Sequence, residues 1–183
     1  MSHKILQKTL VHRSYLFEVQ RLTLQLPDGT RIERDLICHR GAALVLPVLE
    51  DGSIVMIRNY RYAAAGYLWE LPCGTLEEGE DITVCAAREL AEESGYTAEK
   101  IEKLGEFYSC PGYSNEIIYA YLATGLTKGD QNLEGYEDIT VEVLSDADVR
   151  RMVAANEIHD AKTLATLGMY WTQKAPPDKA GTQ

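Results

Sequence analysis

The pattern of apolar and polar residues in the first forty positions predicts β structure. The segments Phe17–Leu26 and Arg31–Cys38 flank a Pro-Asp-Gly-Thr sequence that is typical of a hairpin turn. Because a two-stranded ribbon is only marginally stable alone, we expect it to pack on the rest of the chain or on a second subunit. Two mostly apolar runs, Ala42–Val48 and Ser53–Tyr60, then predict strands of a sheet that is covered on both faces.

The remainder of the chain mixes strands with helices. Residues 63–79 are rich in Gly and Ala and predict a loop around one short strand. A helix is predicted over 82–94, with Asp81 as its N-cap and Gly95 as its left-handed stop. Further strands are predicted near 104–109, 116–123 and 139–144, followed by two helices capped by Ser145 and Asp160. This order indicates an α+β or α/β sandwich.

Composition and charge narrow the functional classes. The 183 residues are 45% hydrophobic with a formal net charge of −10, so we expect no nucleic-acid partner, since phosphate backbones are held by cationic surfaces. A phosphorylated substrate would need divalent cations. No stretch approaches the ~20 apolar residues that span a bilayer, so no membrane partner is expected. Four scattered cysteines without a CxxC pair predict reduced thiols in a cytoplasmic protein.

The predicted helix over 82–94 carries acidic residues where stability alone disfavours them. Glu89 and Glu93 are four apart and repel each other on one face, and carboxylates at a helix C-terminus oppose the helix dipole. Arg88 is expected to pair with Glu92, one turn on. Carboxylate oxygens without thiol or imidazole suit Mg²⁺ or Mn²⁺ better than zinc. The alternative interpretation is a solvated acidic helix end.

A 23-residue segment that begins at Gly74 resembles the Nudix box, Gly-x5-Glu-x7-Arg-Glu-U-x-Glu-Glu-x-Gly-U, in which U is bulky and apolar. Glu80 follows Gly74 after five residues, and the run RELAEESGY, residues 88–96, follows after seven more. Every specified position is matched, with Tyr96 as the last U. The resemblance implies an α/β/α sandwich in which the box forms a loop–helix–loop, and hydrolysis of a nucleoside diphosphate linked to another group.

The resemblance also implies roles for individual residues of the box. The divalent cations, Mg²⁺ or else Mn²⁺, would be held by Glu89, Glu92, Glu93 and the backbone carbonyl of Cys73. A structural role in holding the loop–helix–loop together is implied for Gly74, Glu80, Arg88 and Gly95.

Segments that flank the box resemble the ADP-ribose pyrophosphatase branch, and the similarity covers roughly residues 11–171. They are the RNYRYAA stretch (58–64), the Glu70-Leu71-Pro72 entry to the box, and Pro111-Gly112, sixteen residues beyond Gly95. This branch implies cleavage of ADP-ribose to AMP and ribose 5-phosphate. Three alternatives stay open: a broad hydrolase of nucleoside diphosphate sugars such as ADP-glucose and GDP-mannose, a sensor that binds ADP-ribose without turnover, and a nucleoside triphosphate clean-up enzyme. The N-terminal extension and Pro111 argue against the last.

The branch further implies substrate contacts and a dimer. Its members are homodimers that exchange N-terminal strands, which makes Arg34, Tyr15 and Phe17 candidates for binding adenine. The alternative is a structural role, since an aromatic residue at the start of a strand is more often part of the core. Arg61 follows an apolar strand and is a candidate phosphate ligand, with a surface salt bridge as the alternative. Pro111, Gly112 and Glu116 complete the candidate substrate contacts.

The general base is expected in the loop Gly125–Asp138, outside the box. Glu137 and Glu134 are both candidates, because a carboxylate within hydrogen-bond reach of the attacking water would suffice. Glu92 counts with these catalytic candidates as well as with the metal ligands. The predicted organisation is an N-terminal β extension over residues 1–40, a Nudix domain over 41–172, and a flexible tail over 173–183.

Overall fold

The structure, a computed structural model, describes residues 2–174 and begins with a three-stranded antiparallel sheet in the order β1-β2-β3. Its strands are β1 (Lys4–Arg13), β2 (Phe17–Gln25) and β3 (Arg31–His39). The hairpin of β2 and β3 matches the sequence prediction, and Gly29 turns with a φ of 90°. The prediction of a ribbon with only two strands was wrong, because a third strand, β1, pairs with β2 and forms an exposed outer strand. This strand mixes apolar with polar residues, and the individual strands predicted from the sequence begin only at Phe17.

The central part of the chain forms two further sheets. A four-stranded sheet has the order β7-β4-β9-β8, with β4 (Ala42–Pro47) parallel to β9 (Ile117–Lys128). Its other strands are β7 (Cys73–Thr75) and β8 (Tyr96–Tyr108). A three-stranded antiparallel sheet has the order β10-β5-β6, formed by β10 (Ile139–Leu144), β5 (Ile54–Arg61) and β6 (Gly66–Glu70).

Within residues 2–174, three helices cover these sheets, and the predicted caps are present. Helix α1 (Ile82–Ser94) begins after Asp81, whose carboxylate accepts the Thr83 and Val84 N–H groups, and it ends at Gly95, whose φ is 73°. Helix α2 (Asp146–Ala154) is capped by Ser145. Helix α3 (Ala161–Lys174) is capped by Asp160, whose carboxylate accepts the Thr163 N–H.

Strand β4 divides the core into two layers, because successive side chains point to opposite faces. Leu44 and Leu46 face a cluster that includes residues of α2 and α3. Ala43 and Val45 face a second cluster that contains the apolar side of α1. All six residues of β4 are buried, as the apolar run predicted. The result is the expected α/β/α sandwich with α1 alone on one side.

Several predicted boundaries were wrong. Residues 63–79 contain two strands, β6 and β7, after a one-turn 3-10 helix at Tyr62–Ala64. Strand β9 continues through Gly125 to Lys128, so the loop predicted over Gly125–Asp138 covers only residues 129–138. We call this segment the acidic loop. Helix α3 extends through Lys174, so the predicted tail begins too early at Gln173; residues 175–183 lie outside the described residues. None of the described helices has the length and apolar character that a membrane span requires.

Candidate active site

A cleft of about 350 Å³ lies where β7, α1, the acidic loop and the turn between β1 and β2 come together. The cleft brings together residues from distant parts of the sequence. Its acidic lining consists of Glu77, Glu89, Glu92, Glu93, Glu134 and Glu137, and its basic lining of Arg40, Arg61 and Arg88. All three helix carboxylates and both loop carboxylates predicted from the sequence therefore share one cleft.

Helix α1 presents two of its carboxylates inward. Glu89 and Glu93 lie one turn apart, so they share a face, and they are only 8% and 4% exposed. The Cys73 backbone N–H donates to Glu93 Oε2 over 2.7 Å. Gly74 lies against the Glu89 carboxyl group so closely that a Cβ atom would sit 1.9 Å from it. The glycine that opens the box is thus required by the close approach of β7 to α1.

Burial sets the protonation of these two groups. Desolvation disfavours the charged form of a carboxyl group, and it raises the pKa of Glu89 to about 7 and that of Glu93 to about 8. Neighbouring acids add to both shifts, while Arg88 opposes the shift of Glu89 and the Cys73 N–H opposes that of Glu93. The two carboxylates lack enough positive charge nearby to stay fully ionised near neutral pH.

Arg88 holds the box together through three carboxylates. Its Nε donates to Glu80 Oε1 over 3.0 Å, and its Nη1 donates to Glu89 over 2.6 Å and to Glu92 over 2.9 Å. The predicted pair with Glu92 is present. Hydrogen bonds from Arg88 lower the pKa of Glu80 to about 2, and Glu80 also accepts the Glu77 backbone N–H. Glu80 and Arg88 therefore connect the loop before α1 to the middle of the helix.

The donor set of the cleft is chemically suited to a hard cation. Within residues 2–174, no three His, Cys, Asp or Glu side chains already surround one metal position. Arg88 and the Cys73 N–H engage the carboxylates of the helix. The acidic groups are nevertheless oxygen donors, two of them buried, and Glu93 makes no ion pair among the described residues. All-oxygen donor sets fit Mg²⁺ or Mn²⁺.

The acidic loop, residues 129–138, is tied to the end of α1. Gln131 Nε2 donates to the Glu93 carbonyl over 2.6 Å, and the Asn132 N–H donates to the Glu92 carbonyl over 3.0 Å. Glu137 Oε2 accepts the Glu134 N–H over 2.8 Å, between these two anchors and β10. The anchors at the end of α1 were not predicted, since nothing in the local sequence marks them.

Arg61, at the end of β5, lines the cleft with a side chain that is 41% exposed. Its guanidinium grips the buried Glu70 carboxylate through two hydrogen bonds of 2.8 and 2.7 Å. Glu70 was noted in the sequence only as part of the entry to the box. The structure thus places Arg61 at the cleft, as the strand end predicted, and gives it an ion pair as well.

The N-terminal candidates divide between two cavities and the surface. Tyr15 is 85% exposed and lines the cleft, and it also lines an adjoining cavity of about 430 Å³ together with Phe17. Arg34 lines neither cavity, and its guanidinium donates to the Glu33 carbonyl. Arg40, which lines both cavities, was missed. Its position directly before the buried run of β4 mirrors that of Arg61 directly after an apolar strand, and that signal could have found it.

The segment after β8 lies apart from the cleft. Pro111 and Gly112 are exposed and line neither cavity. Glu116 accepts the Ser109 hydroxyl over 2.5 Å and lies 3.3 Å from His39 Nδ1. The His39 N–H donates to Asn115 Oδ1 over 2.8 Å. This segment, which joins β8 to β9, therefore holds the end of β3 against the four-stranded sheet. A substrate role for Pro111, Gly112 and Glu116 stays a prediction.

Comparison with known proteins decides the family. Residues 39–167 match the model of the NUDIX domain, which is most of the chain. The chain belongs to the Nudix family. The prediction of a Nudix hydrolase is thereby confirmed, and Nudix hydrolases generally use divalent metal ions.

Relatives over nearly the whole length carry several activities in their names. The chain is 34% identical to the ADP-ribose pyrophosphatase of Bacillus subtilis strain 168, with 89% of each chain covered. It is 32% identical to the methanol dehydrogenase activator of Bacillus methanolicus, over 94% of this chain and 97% of that one. A GDP-mannose pyrophosphatase of Yersinia pestis is 31% identical over 91% of each. The structure of an ADP compounds hydrolase superposes with a TM-score of 0.83 at 22% identity over 94% of each chain, which supports the fold.

Proposed function

We propose that this Nudix hydrolase cleaves the pyrophosphate bond of nucleoside diphosphate sugars, with ADP-ribose as its preferred substrate and Mg²⁺ as its metal. AMP and ribose 5-phosphate would be the products. The observation that carries the proposal is the cleft in which the two buried carboxylates of α1 face the carboxylates of the acidic loop. The two pyrophosphatase relatives support the substrate class, since both are named for cleaving nucleotide sugars.

The acidic residues of the cleft divide into two roles. Glu89, Glu92, Glu93 and the Cys73 carbonyl would hold the divalent cations, which supply the positive charge that an acidic cleft lacks against a pyrophosphate. Glu137 or Glu134 accepts the proton of the attacking water. Both line the cleft, and the two are joined by a hydrogen bond from the Glu134 N–H to the Glu137 carboxylate.

The basic and aromatic residues of the two cavities support a nucleotide as ligand. Arg61 and Arg40 supply guanidinium groups beside the cleft, and such groups bind phosphate oxygens in pairs of hydrogen bonds. Tyr15 and Phe17 line the adjoining cavity, where a base would stack. Since Arg40 lines both cavities, it lies where the phosphates of a bound nucleotide would pass from one to the other.

A substrate panel tests the proposal. Purified protein with Mg²⁺ is given ADP-ribose, ADP-glucose, GDP-mannose, NADH, diadenosine polyphosphates and a nucleoside triphosphate, and product phosphate is released by phosphatase. We expect ADP-ribose to show the highest kcat/KM and chelation by EDTA to abolish turnover. Equal rates across the diphosphate sugars would instead identify the broader hydrolase, which the GDP-mannose pyrophosphatase relative favours. Binding of ADP-ribose without turnover of any substrate would identify a sensor.

We also propose a homodimer joined through the N-terminal sheet. Strand β1 leaves one edge of that sheet open, and its side chains Ile5, Leu6, Leu10 and Val11 are each about half exposed. An open edge with apolar side chains favours pairing with another chain. Light scattering should give a dimer for the wild type and a monomer for L6K/L10K. V143K, a lysine at an exposed valine of β10, is the control and should stay dimeric; a monomeric wild type would contradict the proposal.

We propose that the protein acts in the cytoplasm, on the basis of its cysteines. All four, Cys38, Cys73, Cys85 and Cys110, are free in the structure. Free thiols are typical of proteins that work in the reducing environment of the cytoplasm, which supports cytoplasmic action.

A further inference from the structure

A charged network behind the cleft connects helix α3 to Arg61. Glu70 is only 1% exposed, and both of its carboxylate oxygens are engaged. Oε1 accepts from Arg61 Nε over 2.8 Å, while Oε2 accepts from Arg61 Nη2 over 2.7 Å and from Lys162 Nζ over 2.8 Å. Lys162 Nζ also donates to Asp160 Oδ1 over 2.7 Å. The charges therefore alternate in sign from Arg61 at the cleft to Asp160 at the start of α3.

The inner end of this network is fixed to the backbone. Asp160 Oδ2 accepts the Thr163 N–H over 2.9 Å, which caps the first turn of α3. The Thr163 hydroxyl, itself fully buried, accepts the Leu71 N–H over 3.0 Å, directly after Glu70. The Lys162–Glu70 ion pair and the hydrogen bond between Leu71 and Thr163 thus both join the start of α3 to the segment that carries Glu70. Lys162 has little freedom to leave its place while these links hold.

Electrostatics explain why Glu70 needs both cations. A carboxylate in a low-dielectric interior is costly unless it is paired and hydrogen-bonded. The cationic partners outweigh burial here and keep the pKa of Glu70 below its ordinary value. Because Lys162 shares the carboxylate from inside, Arg61 neutralises Glu70 only in part and keeps positive charge for a ligand. Arg61 Nη1 makes no hydrogen bond within residues 2–174, so its N–H groups remain available at the cleft.

We propose that Lys162 is a positioning residue for substrate binding, which fixes Glu70 and through it aims Arg61 at the phosphates of the substrate. Lys162 does not line the cleft, so it acts without touching the substrate. The inference rests on the proposed function, since it requires that Arg61 contact a phosphorylated substrate.

The first test compares one substitution at two lysines of the same helix. K162M removes the charge behind Glu70, whereas K174M removes an exposed lysine at the far end of α3. We expect K162M to lower kcat/KM about 10-fold, mainly through KM, in line with the effect of losing an outer-shell partner. K174M should behave as the wild type. Full activity of K162M would overturn the proposal.

A double-mutant cycle separates positioning from simple loss of structure. If Lys162 acts through Arg61, K162M lowers kcat/KM in the wild type but changes it less than about twofold in the R61A background. Equal losses in both backgrounds would overturn the positioning role. Should K162M fail to fold, as judged by its melting temperature, K162Q takes its place in the same cycle with a smaller effect, because glutamine removes the charge but keeps an N–H donor.

The cycle also distinguishes failure of this inference from failure of the proposed function. An inactive wild type on every nucleoside diphosphate sugar would overturn the proposed function and this inference with it. An active wild type whose R61A variant is equally active would overturn this inference alone, because nothing would then depend on the aim of Arg61.

Discussion

Two almost fully buried carboxylates of this molecule have opposite surroundings. Glu70, on β6, is contacted by the guanidinium of Arg61 and the ammonium of Lys162. Glu93, on α1, receives one backbone N–H and, among the described residues, no cation. Accordingly, the pKa of Glu70 lies below its ordinary value, while that of Glu93 is raised to about 8. Burial is similar in the two cases, so the contacting cations of Glu70 and the neighbouring acids of Glu93 explain why the two pKa values shift in opposite directions.

The difference shows which buried carboxylate has its counter-charges supplied by the protein itself and which has not. The chain provides the counter-charges of Glu70, and the network around it is satisfied without a ligand. The end of α1 gathers Glu89 and Glu93 without equivalent compensation. An unbalanced buried carboxylate is costly, and a divalent cation from solution would balance it. We therefore expect substitution of Glu70 to weaken both the fold and the positioning of Arg61, and substitution of Glu93 to weaken mainly the activity.

The largest expected effect is on catalysis, from E93Q. The substitution keeps the shape and the hydrogen bond with the Cys73 N–H but removes the charge that would hold the metal. We expect kcat to fall about 100- to 1,000-fold, the usual range for losing one electrostatic contact at a reaction centre. The melting temperature of the metal-free protein should change little, because the raised pKa leaves Glu93 largely uncharged at neutral pH and glutamine keeps its shape. Steady-state kinetics and calorimetry measure both, and near-normal turnover would contradict the assignment.

The next effect is on stability, from E70Q. Glutamine leaves Arg61 and Lys162 without their anion, and breaking a buried ion pair at one partner costs about 3 kcal/mol or more. For a domain of this size that corresponds to a drop in melting temperature of about 6–12 °C. A thermal scan beside E93Q supplies the matched comparison. An E70Q variant as stable as the wild type would show that the network contributes nothing.

The smallest effect is on stability, from E80Q, which removes the ion pair between Glu80 and Arg88. The Arg88 pair lowers the pKa of Glu80 to about 2 from its ordinary value of 4.5. A lowered folded-state pKa stabilises the protein above pH 4.5, and this contribution is lost as the pH falls toward 2. Urea unfolding should show E80Q less stable by about 1.5 kcal/mol at pH 7. That difference should shrink between pH 4.5 and pH 3, and a constant difference would contradict the role of the ion pair.

The box could be predicted from the sequence because its determinants are consecutive. Asp81 and Gly95 bound α1 through contacts with their own neighbours, and the spacing of Glu89 and Glu93 fixes their common face. Local signals of this kind survive without knowledge of the rest of the fold. The predicted helix therefore has the bounds that the structure shows.

Features that depend on distant segments were not predictable in the same way. Strand β1 is exposed and mixes apolar with polar and charged residues, and its only described strand partner is β2, so its own sequence does not mark where the strand begins and ends. Arg40 and Lys162 gain their importance from residues far away in the chain. Lys162 lies 92 residues after the carboxylate that it contacts. Spacing along one helix cannot show a contact of that kind.

Metal binding to the two carboxylate variants tests the central distinction most directly. Free Mn²⁺ has a strong paramagnetic resonance signal that is lost on binding, so titration of wild type, E93Q and E70Q gives the affinity without any substrate. We expect E93Q to bind Mn²⁺ at least about 10-fold more weakly than the wild type, and folded E70Q to bind it as the wild type does. Equal affinity of wild type and E93Q would contradict the account, because the unbalanced carboxylate of α1 would then have no part in holding the metal.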